Sequence, residues 1–89
     1  MKLIKFYATW CSPCTTLSKL LEENSVPHES VDIDQELELV SKYNIRGIPT
    51  LIMLDEQGNV VDRLNGSINK TKLQDFLNSK GTKWHLFKN

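Results

Sequence analysis

Cys11 and Cys14 are the chain's two cysteines, and the two residues between them, Ser12 and Pro13, set what they can do. At that spacing, in one turn of helix, both sulfurs come within bonding reach, so a disulfide can close and reopen. A cysteine at the start of a helix faces unpaired backbone N–H groups and the positive end of the helix dipole, and both favour its thiolate. The thiolate is the form that attacks a disulfide. A division of labour follows. Cys11 is expected to be the more exposed nucleophile. Cys14, one turn further in, is the more buried thiol that attacks the mixed disulfide and frees the reduced target. Two other roles stay open for the pair. Structural zinc needs four ligands, and the remaining candidates, His28 and His85, lack the paired spacing of a zinc site. Two small residues can also simply fill a core. His28 and His85 themselves read as surface or loop residues.

The flanking sequence has to hold this pair in place. Residues 3–8 are short and mostly apolar or aromatic, which predicts a strand. Thr9 to Pro13 make a turn, and Pro13 suits the first turn of a helix, where its missing N–H costs nothing. That helix should reach about Asn24, with Leu17, Leu20 and Leu21 as its apolar stripe, and Pro27 closes the connection. Residues 29–33 predict a second strand, in which Val31 and Ile33 alternate with Asp32. Asp34 is expected to cap a helix over 35–43, with Leu37, Val40 and Tyr43 facing inward. Gly47 and Pro49 mark a turn. Residues 50–54 and 60–64 read as two strands joined by the loop Asp55 to Asn59. Ser67 or Asn69 opens a last helix that points Leu73, Phe76 and Leu77 inward and stops at Gly81. The order β-α-β-α-β-β-α predicts an α/β fold: a four-stranded mixed sheet with a parallel βαβ half, an antiparallel hairpin half and helices on both faces. Cys11 and Cys14 then lie at the C-terminal end of the first strand, the edge where α/β sheets carry their sites. Residues 1–81 are expected to form one domain, with 82–89 as an extension.

Composition narrows the function classes. The 89 residues are 39% hydrophobic with a formal net charge of zero, the profile of a folded domain and not of a disordered chain. No apolar run approaches the ~20 residues of a membrane span, and the balanced charge leaves no footprint for nucleic acid. The balance hides a pattern. Residues 1–21 carry Lys2, Lys5 and Lys19 and no acid. Glu22, Glu23, Glu29, Asp32, Asp34, Glu36 and Glu38 follow with no lysine or arginine among them, and residues 70–89 are lysine-rich against Asp75 alone. The pattern reads as solvated surface, with steering of partners as the alternative. The first residues lack the apolar core of a signal peptide, so the expected location is the cytoplasm. Nothing in the sequence demands more than a monomer.

Four stretches resemble the thioredoxin family: Phe6-Tyr7-Ala8-Thr9-Trp10-Cys11-Ser12-Pro13-Cys14; Val31-Asp32-Ile33-Asp34; Tyr43-Asn44-Ile45-Arg46-Gly47-Ile48-Pro49-Thr50-Leu51; and Asn65-Gly66. Their spacing and order match over residues 3–79. The resemblance implies a thioredoxin-like fold and a protein disulfide reductase that cycles between dithiol and Cys11–Cys14 disulfide without a bound cofactor. Cys11 would be the nucleophile and Cys14 the resolving thiol. Trp10 and Pro13 would belong to the docking surface and Pro49 would be the family's cis-proline facing the pair. The Ile48 backbone would pair with an extended target, and Gly66 would leave room for it. Partners would be oxidised proteins, ribonucleotide reductase among them, with thioredoxin reductase or glutathione as electron donor.

Departures from the family pattern are specific. The chain begins at what resembles the family's second strand, which trims it towards glutaredoxin size. Ser12-Pro13 stands where Gly-Pro is usual, so Ser12 is expected to tune the reduction potential. Lys5 occupies the position of the family's buried acid, and Ser30 that of its partner lysine. Lys5 is expected to snorkel to water and to favour thiolate at the pair, leaving Cys14 to be deprotonated by water. Lys19 replaces a kinking proline, and Asn65 makes the docking rim more polar. Trp84, Leu86 and Phe87 are expected to pack over surface left bare by the missing N-terminal elements. The competing readings are a glutathione-dependent, glutaredoxin-like reductase, an oxidase or isomerase of an oxidising compartment, and a non-catalytic binding module built on the same fold.

Overall fold

The computed structural model describes residues 1–78. Gly81 and the extension 82–89 lie outside the described residues, as does the packing expected of Trp84, Leu86 and Phe87. Seven elements follow in the predicted order: β1 (Lys2–Tyr7), α1 (Ser12–Glu23), β2 (Glu29–Asp32), α2 (Leu37–Lys42), β3 (Thr50–Leu54), β4 (Val60–Asn65) and α3 (Lys70–Asn78). The strands form one sheet in the order β2-β1-β3-β4. β1 runs parallel to β2, with Phe6 opposite Val31, and antiparallel to β3, with Ile4 opposite Ile52. β3 and β4 form the antiparallel hairpin. The expected parallel half and hairpin half therefore meet at β1.

Period-two alternation divides the β1 side chains between two cores. On one face Leu3 joins Leu51 and Met53 of β3 against Leu17 and Leu21 of α1 and Leu73, Phe76 and Leu77 of α3. On the other, Ile4 and Phe6 join Val31, Ile52 and Leu54 against Tyr43 and Leu39 at α2, and Phe6 meets Tyr43 edge to face at 5.7 Å. β3 is buried along its whole length, which explains its unbroken apolar run. The sheet is thus covered on both faces and fixes β1, whose C-terminal end feeds the turn into α1.

Two features of the helices were not read from the sequence. α1 ends on Asn24, and Ser25 takes a left-handed φ of 54°. Its amide donates to Glu22 and that of Val26 to Leu21, the paired bonds of a Schellman stop. α2 ends the same way on Asn44 (φ 53°), with Ile45 donating to Val40, and an Arg63 guanidinium nitrogen from β4 donates to the Tyr43 carbonyl at 2.9 Å. Ser25 and Asn44 replace the glycine that usually signals this turn.

α2 also corrects the sequence reading. It starts at Leu37, with Glu36 in the cap position and no side-chain cap bond. Asp34 is not the cap, because its carboxylate is bonded to Trp10. Leu37 is 69% exposed, and Leu39 takes the inward place instead.

Candidate active site

The turn after β1 delivers Cys11 to the start of α1. Cys11 is the N-cap, with extended backbone (φ −101°, ψ 110°), and Pro13 occupies the first turn. The Cys11 amide donates to Ala8 O at 3.2 Å. The Cys14 amide donates to Cys11 Sγ at 3.2 Å, so the sulfur does what a serine or aspartate oxygen does in an ordinary cap. A thiolate at Cys11 would accept the same N–H and face the remaining free amides of the helix start. The two cysteines form a disulfide, with Cα atoms 5.2 Å apart.

Both sulfur-bearing residues are largely covered. Cys11 keeps 7% of its surface and Cys14 1%. The expected order holds, but Cys11 is not an open surface residue. Only its edge reaches solvent. Ala8 completes the small cluster around the pair, with Tyr7, Ile33 and Ile48 packed against it.

Ile48 belongs to the loop before β3, on the far side of the disulfide. The Ile48–Pro49 peptide bond is cis, and Pro49 is fully buried. Thr50, also buried, donates its hydroxyl to Gly47 O at 2.6 Å and so ties the two ends of this loop together. Gly66, at the end of β4, donates its amide to Pro49 O at 3.0 Å. Its φ is +86°, and a Cβ added there would meet nothing within 4 Å. No neighbour would clash with a side chain there, so the positive φ is what favours glycine. We expect Gly66→Ala to lower stability by about 1–2 kcal/mol, measured as a shift in the urea midpoint. An unchanged midpoint would mean that the turn relaxes to negative φ.

Trp10 is 69% exposed next to the cysteines, and its indole Nε1 donates to Asp34 Oδ2 at 2.9 Å. The ring is held in place by a carboxylate from the β2–α2 connection and not by packing. Asp34 is itself fixed, because its amide donates to Asp32 Oδ1 at 2.9 Å. Ser12 and Pro13 are exposed on the rim. Asp34 and Thr50 are positioning residues that the sequence reading assigned to other work or passed over. Both lie in stretches that resemble the family, Asp34 at the end of Val31-Asp32-Ile33-Asp34, but nothing in those stretches signals these bonds.

Lys5 departs from expectation. It does not reach water but is 5% exposed, beneath α1. Its Nζ donates to Ser18 Oγ at 2.6 Å and lies 5.0 Å from the centre of the Tyr7 ring. Ser18 is one helical turn from Cys14, and Tyr7 packs on the disulfide cluster. The cation is thereby bracketed by two neighbours of the pair. α1 covers the lysine through Ser18, with the Tyr7 ring beside it. Burial pushes its pKa below the ordinary 10.5, with the Glu22 carboxylate opposing that shift.

Among the described residues no group of three or more His, Cys, Asp and Glu side chains could hold a metal ion. No helix among them is long and apolar enough to cross a membrane.

With this geometry in hand, comparison with known proteins is decisive. The family model described as Thioredoxin matches residues 1–79. The chain belongs to the thioredoxin family. It is 40% identical over 83 residues to a thioredoxin of Rickettsia bellii, covering 86% of this chain and 78% of that protein. It is 35% identical over 82 residues to a thioredoxin of Buchnera aphidicola, covering 85% and 74%. Among solved structures, a variant thioredoxin from Halobacterium salinarum superposes with a TM-score of 0.78 at 32% identity, covering 86% of this chain and 71% of that one. As a family member carrying a Cys-x-x-Cys disulfide at the start of α1, the protein is a thiol-disulfide oxidoreductase. The comparisons favour neither the glutathione-dependent alternative nor the non-catalytic module. Family membership also implies exchange with oxidised protein substrates and with a thioredoxin reductase.

Proposed function

We propose that this oxidoreductase is a cytoplasmic, monomeric reductase of protein disulfides, with residues 1–81 as its catalytic domain and 82–89 as an extension. In the reduced form the Cys11 thiolate attacks one sulfur of a target disulfide. The other target sulfur leaves as a thiolate and takes a proton from solvent. Cys14 then gives up its proton and attacks Cys11 Sγ, which breaks the mixed disulfide and releases the second target thiol. Two electrons and two protons pass to the target, and the chain is left with the Cys11–Cys14 disulfide. No bound cofactor takes part, because the electrons reside in the two sulfurs.

Trp10, Pro13, Ile48, Pro49 and Gly66 form the docking rim. An extended target pairs with the Ile48 backbone as an added strand. Ser12 and Lys5 tune the potential, Ser12 at the rim and Lys5 from below. Thioredoxin reductase or glutathione restores the dithiol, and ribonucleotide reductase is among the targets. A low-potential dithiol stays reduced only in a reducing compartment, which accords with the cytoplasm.

The observation that carries this reading is the Cys11 cap. Its sulfur accepts the Cys14 amide at 3.2 Å while its edge alone of the pair reaches solvent. The test is the reduction potential of the pair, equilibrated in thiol/disulfide buffers, together with turnover by NADPH and thioredoxin reductase. We expect a potential at or below the cytosolic glutathione poise of about −220 to −260 mV and turnover without glutathione. A potential well above that poise, with turnover only when glutathione is added, would make the protein an oxidant or a glutathione-coupled enzyme.

A further inference from the structure

A cleft of about 430 Å³ opens directly beside the redox pair. One wall is the start of α1, with Ser12 and Pro13, and the other is the β4–α3 connection, with Ser67, Ile68, Asn69 and Lys72. A second cleft of about 290 Å³ continues it along α1, sharing Thr16, Ile68 and Asn69 and adding Lys19 and Lys70, with Glu23 at its far end. The polar lining of the first cleft is one cation, Lys72, with the hydroxyls of Ser12, Thr16 and Ser67 and the Asn69 side chain, whose Oδ1 accepts from the Lys72 amide. Among the described residues the hydroxyls of Ser12 and Ser67 have no hydrogen-bond partner. Among the described residues Lys72 Nζ reaches only the Ser67 carbonyl, at a long 3.5 Å, and has no carboxylate within salt-bridge distance. Among the described residues no acid lines this cleft.

The opposite side of the pair has the reverse character. There Trp10 is held by Asp34, and Glu36 and Glu38 follow, all exposed. Cys11 and Cys14 therefore lie on a charge boundary, with carboxylates beyond Trp10 and lysines beyond Ser12. A target threaded across the pair meets both fields at once. Its carboxylates are repelled from one side and have donors waiting on the other.

We propose that the cleft between α1 and the β4–α3 connection is a specificity subsite for a carboxylate side chain of the oxidised polypeptide, a few residues from the cysteine that Cys11 attacks. Lys72 supplies the charge, Ser12 and Ser67 the hydrogen bonds, and Pro13 and Ile68 the apolar floor that the side-chain stem covers. The proposal rests on the reductase reading and adds its substrate class: disulfides with an acidic flank on that side. Because Lys72 is exposed, the selection is electrostatic and must weaken with salt.

The test uses the reduced full-length protein and three peptides of one sequence, each with its cysteine joined by a disulfide to the same neutral chromogenic thiol. They differ at one position near the cysteine, which is Glu, Gln or Lys. The readout is the ratio of second-order rate constants within each protein variant. We expect the Glu peptide to react about fivefold faster than the Lys peptide at low ionic strength. The ratio should fall towards one in 0.5 M salt, and in Lys72→Glu it should fall below one. Equal rates for the Glu and Lys peptides would overturn the subsite. So would a preference that Lys72→Glu leaves intact, because selection would then lie elsewhere. Oxidised glutathione reacting faster than the Glu peptide, with the larger loss in Lys72→Glu, would make the occupant a small disulfide and overturn the polypeptide assignment. Failure of all three peptides, the Gln peptide included, would instead overturn the reductase reading on which the subsite rests.

Discussion

Cys11→Ser is expected to abolish disulfide reduction, a loss of at least ~10³-fold, while Cys14→Ser is expected to stop turnover at a different point. The two outcomes follow from the geometry of the α1 start. Cys11 Sγ accepts the Cys14 amide and offers its edge to solvent, whereas Cys14 is 1% exposed. A target sulfur can approach the first and not the second. Serine at position 11 keeps the cap but offers a hydroxyl far too weakly acidic to attack sulfur. Serine at position 14 leaves the first attack intact and removes the second nucleophile. The mixed disulfide then has no internal route to release. Incubated with an oxidised protein, Cys14→Ser should accumulate a one-to-one covalent adduct through Cys11, visible by mass spectrometry and cleared by added thiol. Cys11→Ser should form none. If the adduct forms on Cys14 of the Cys11→Ser protein instead, the roles are reversed and the burial argument is wrong. Both variants should remain folded: in Cys11→Ser the hydroxyl can accept the same Cys14 amide at the helix cap, and in Cys14→Ser the capping sulfur of Cys11 is untouched.

The fold was legible where one physical signal dominated. The β3 run Leu51-Ile52-Met53-Leu54 is unbroken and apolar because the strand is covered on both faces, and Leu17 and Leu21 of α1 mark the buried stripe that meets Leu73 and Leu77. Pro13 and the Cys-x-x-Cys spacing located the site, since the helix start that suits proline is also the one that suits a thiolate. What was misread depended on which of two partners a polar group would take. Asp34 can cap a helix or accept an indole N–H, and only the fold brings Trp10 to it. Leu37 was assigned inward by its spacing, but it stands at the first position of a short helix, 69% exposed, and Leu39 packs against the core instead. Lys5 was expected to snorkel to solvent. Its side chain nevertheless points to the face that α1 and α3 cover, and strand alternation from Leu3 had already fixed that direction.

Lys5→Met is expected to make the protein more stable and the Cys11–Cys14 pair more reducing. Lys5 is a buried cation whose one hydrogen bond goes to a neutral hydroxyl, Ser18 Oγ. Methionine fills a similar volume without a charge to desolvate. We expect a gain on the order of 1–3 kcal/mol in the oxidised protein at neutral pH. The pH dependence has a definite sign. Burial lowers the lysine pKa below 10.5 in the folded state. The charged form therefore weighs against folding at any pH below that lowered value. The penalty shrinks as pH rises from the lowered pKa towards 10.5, and it is gone above the unfolded value. The gap between Lys5→Met and the wild type should accordingly narrow in alkali, as urea midpoints from neutral pH upwards would show. The redox effect comes from the same charge. With Ser18 one turn from Cys14 and Tyr7 against the disulfide, the ammonium stabilises a thiolate at the pair but does little for the uncharged disulfide. Removing it should favour the disulfide by about tenfold, a fall in potential of ~30 mV, and should raise the pKa of the attacking thiol. A Lys5→Met protein that gains stability with an unchanged potential would leave Lys5 a packing anomaly of the α1 face. One that loses stability would mean that the lysine's bond to Ser18 and its contact with Tyr7 outweigh the cost of burying it.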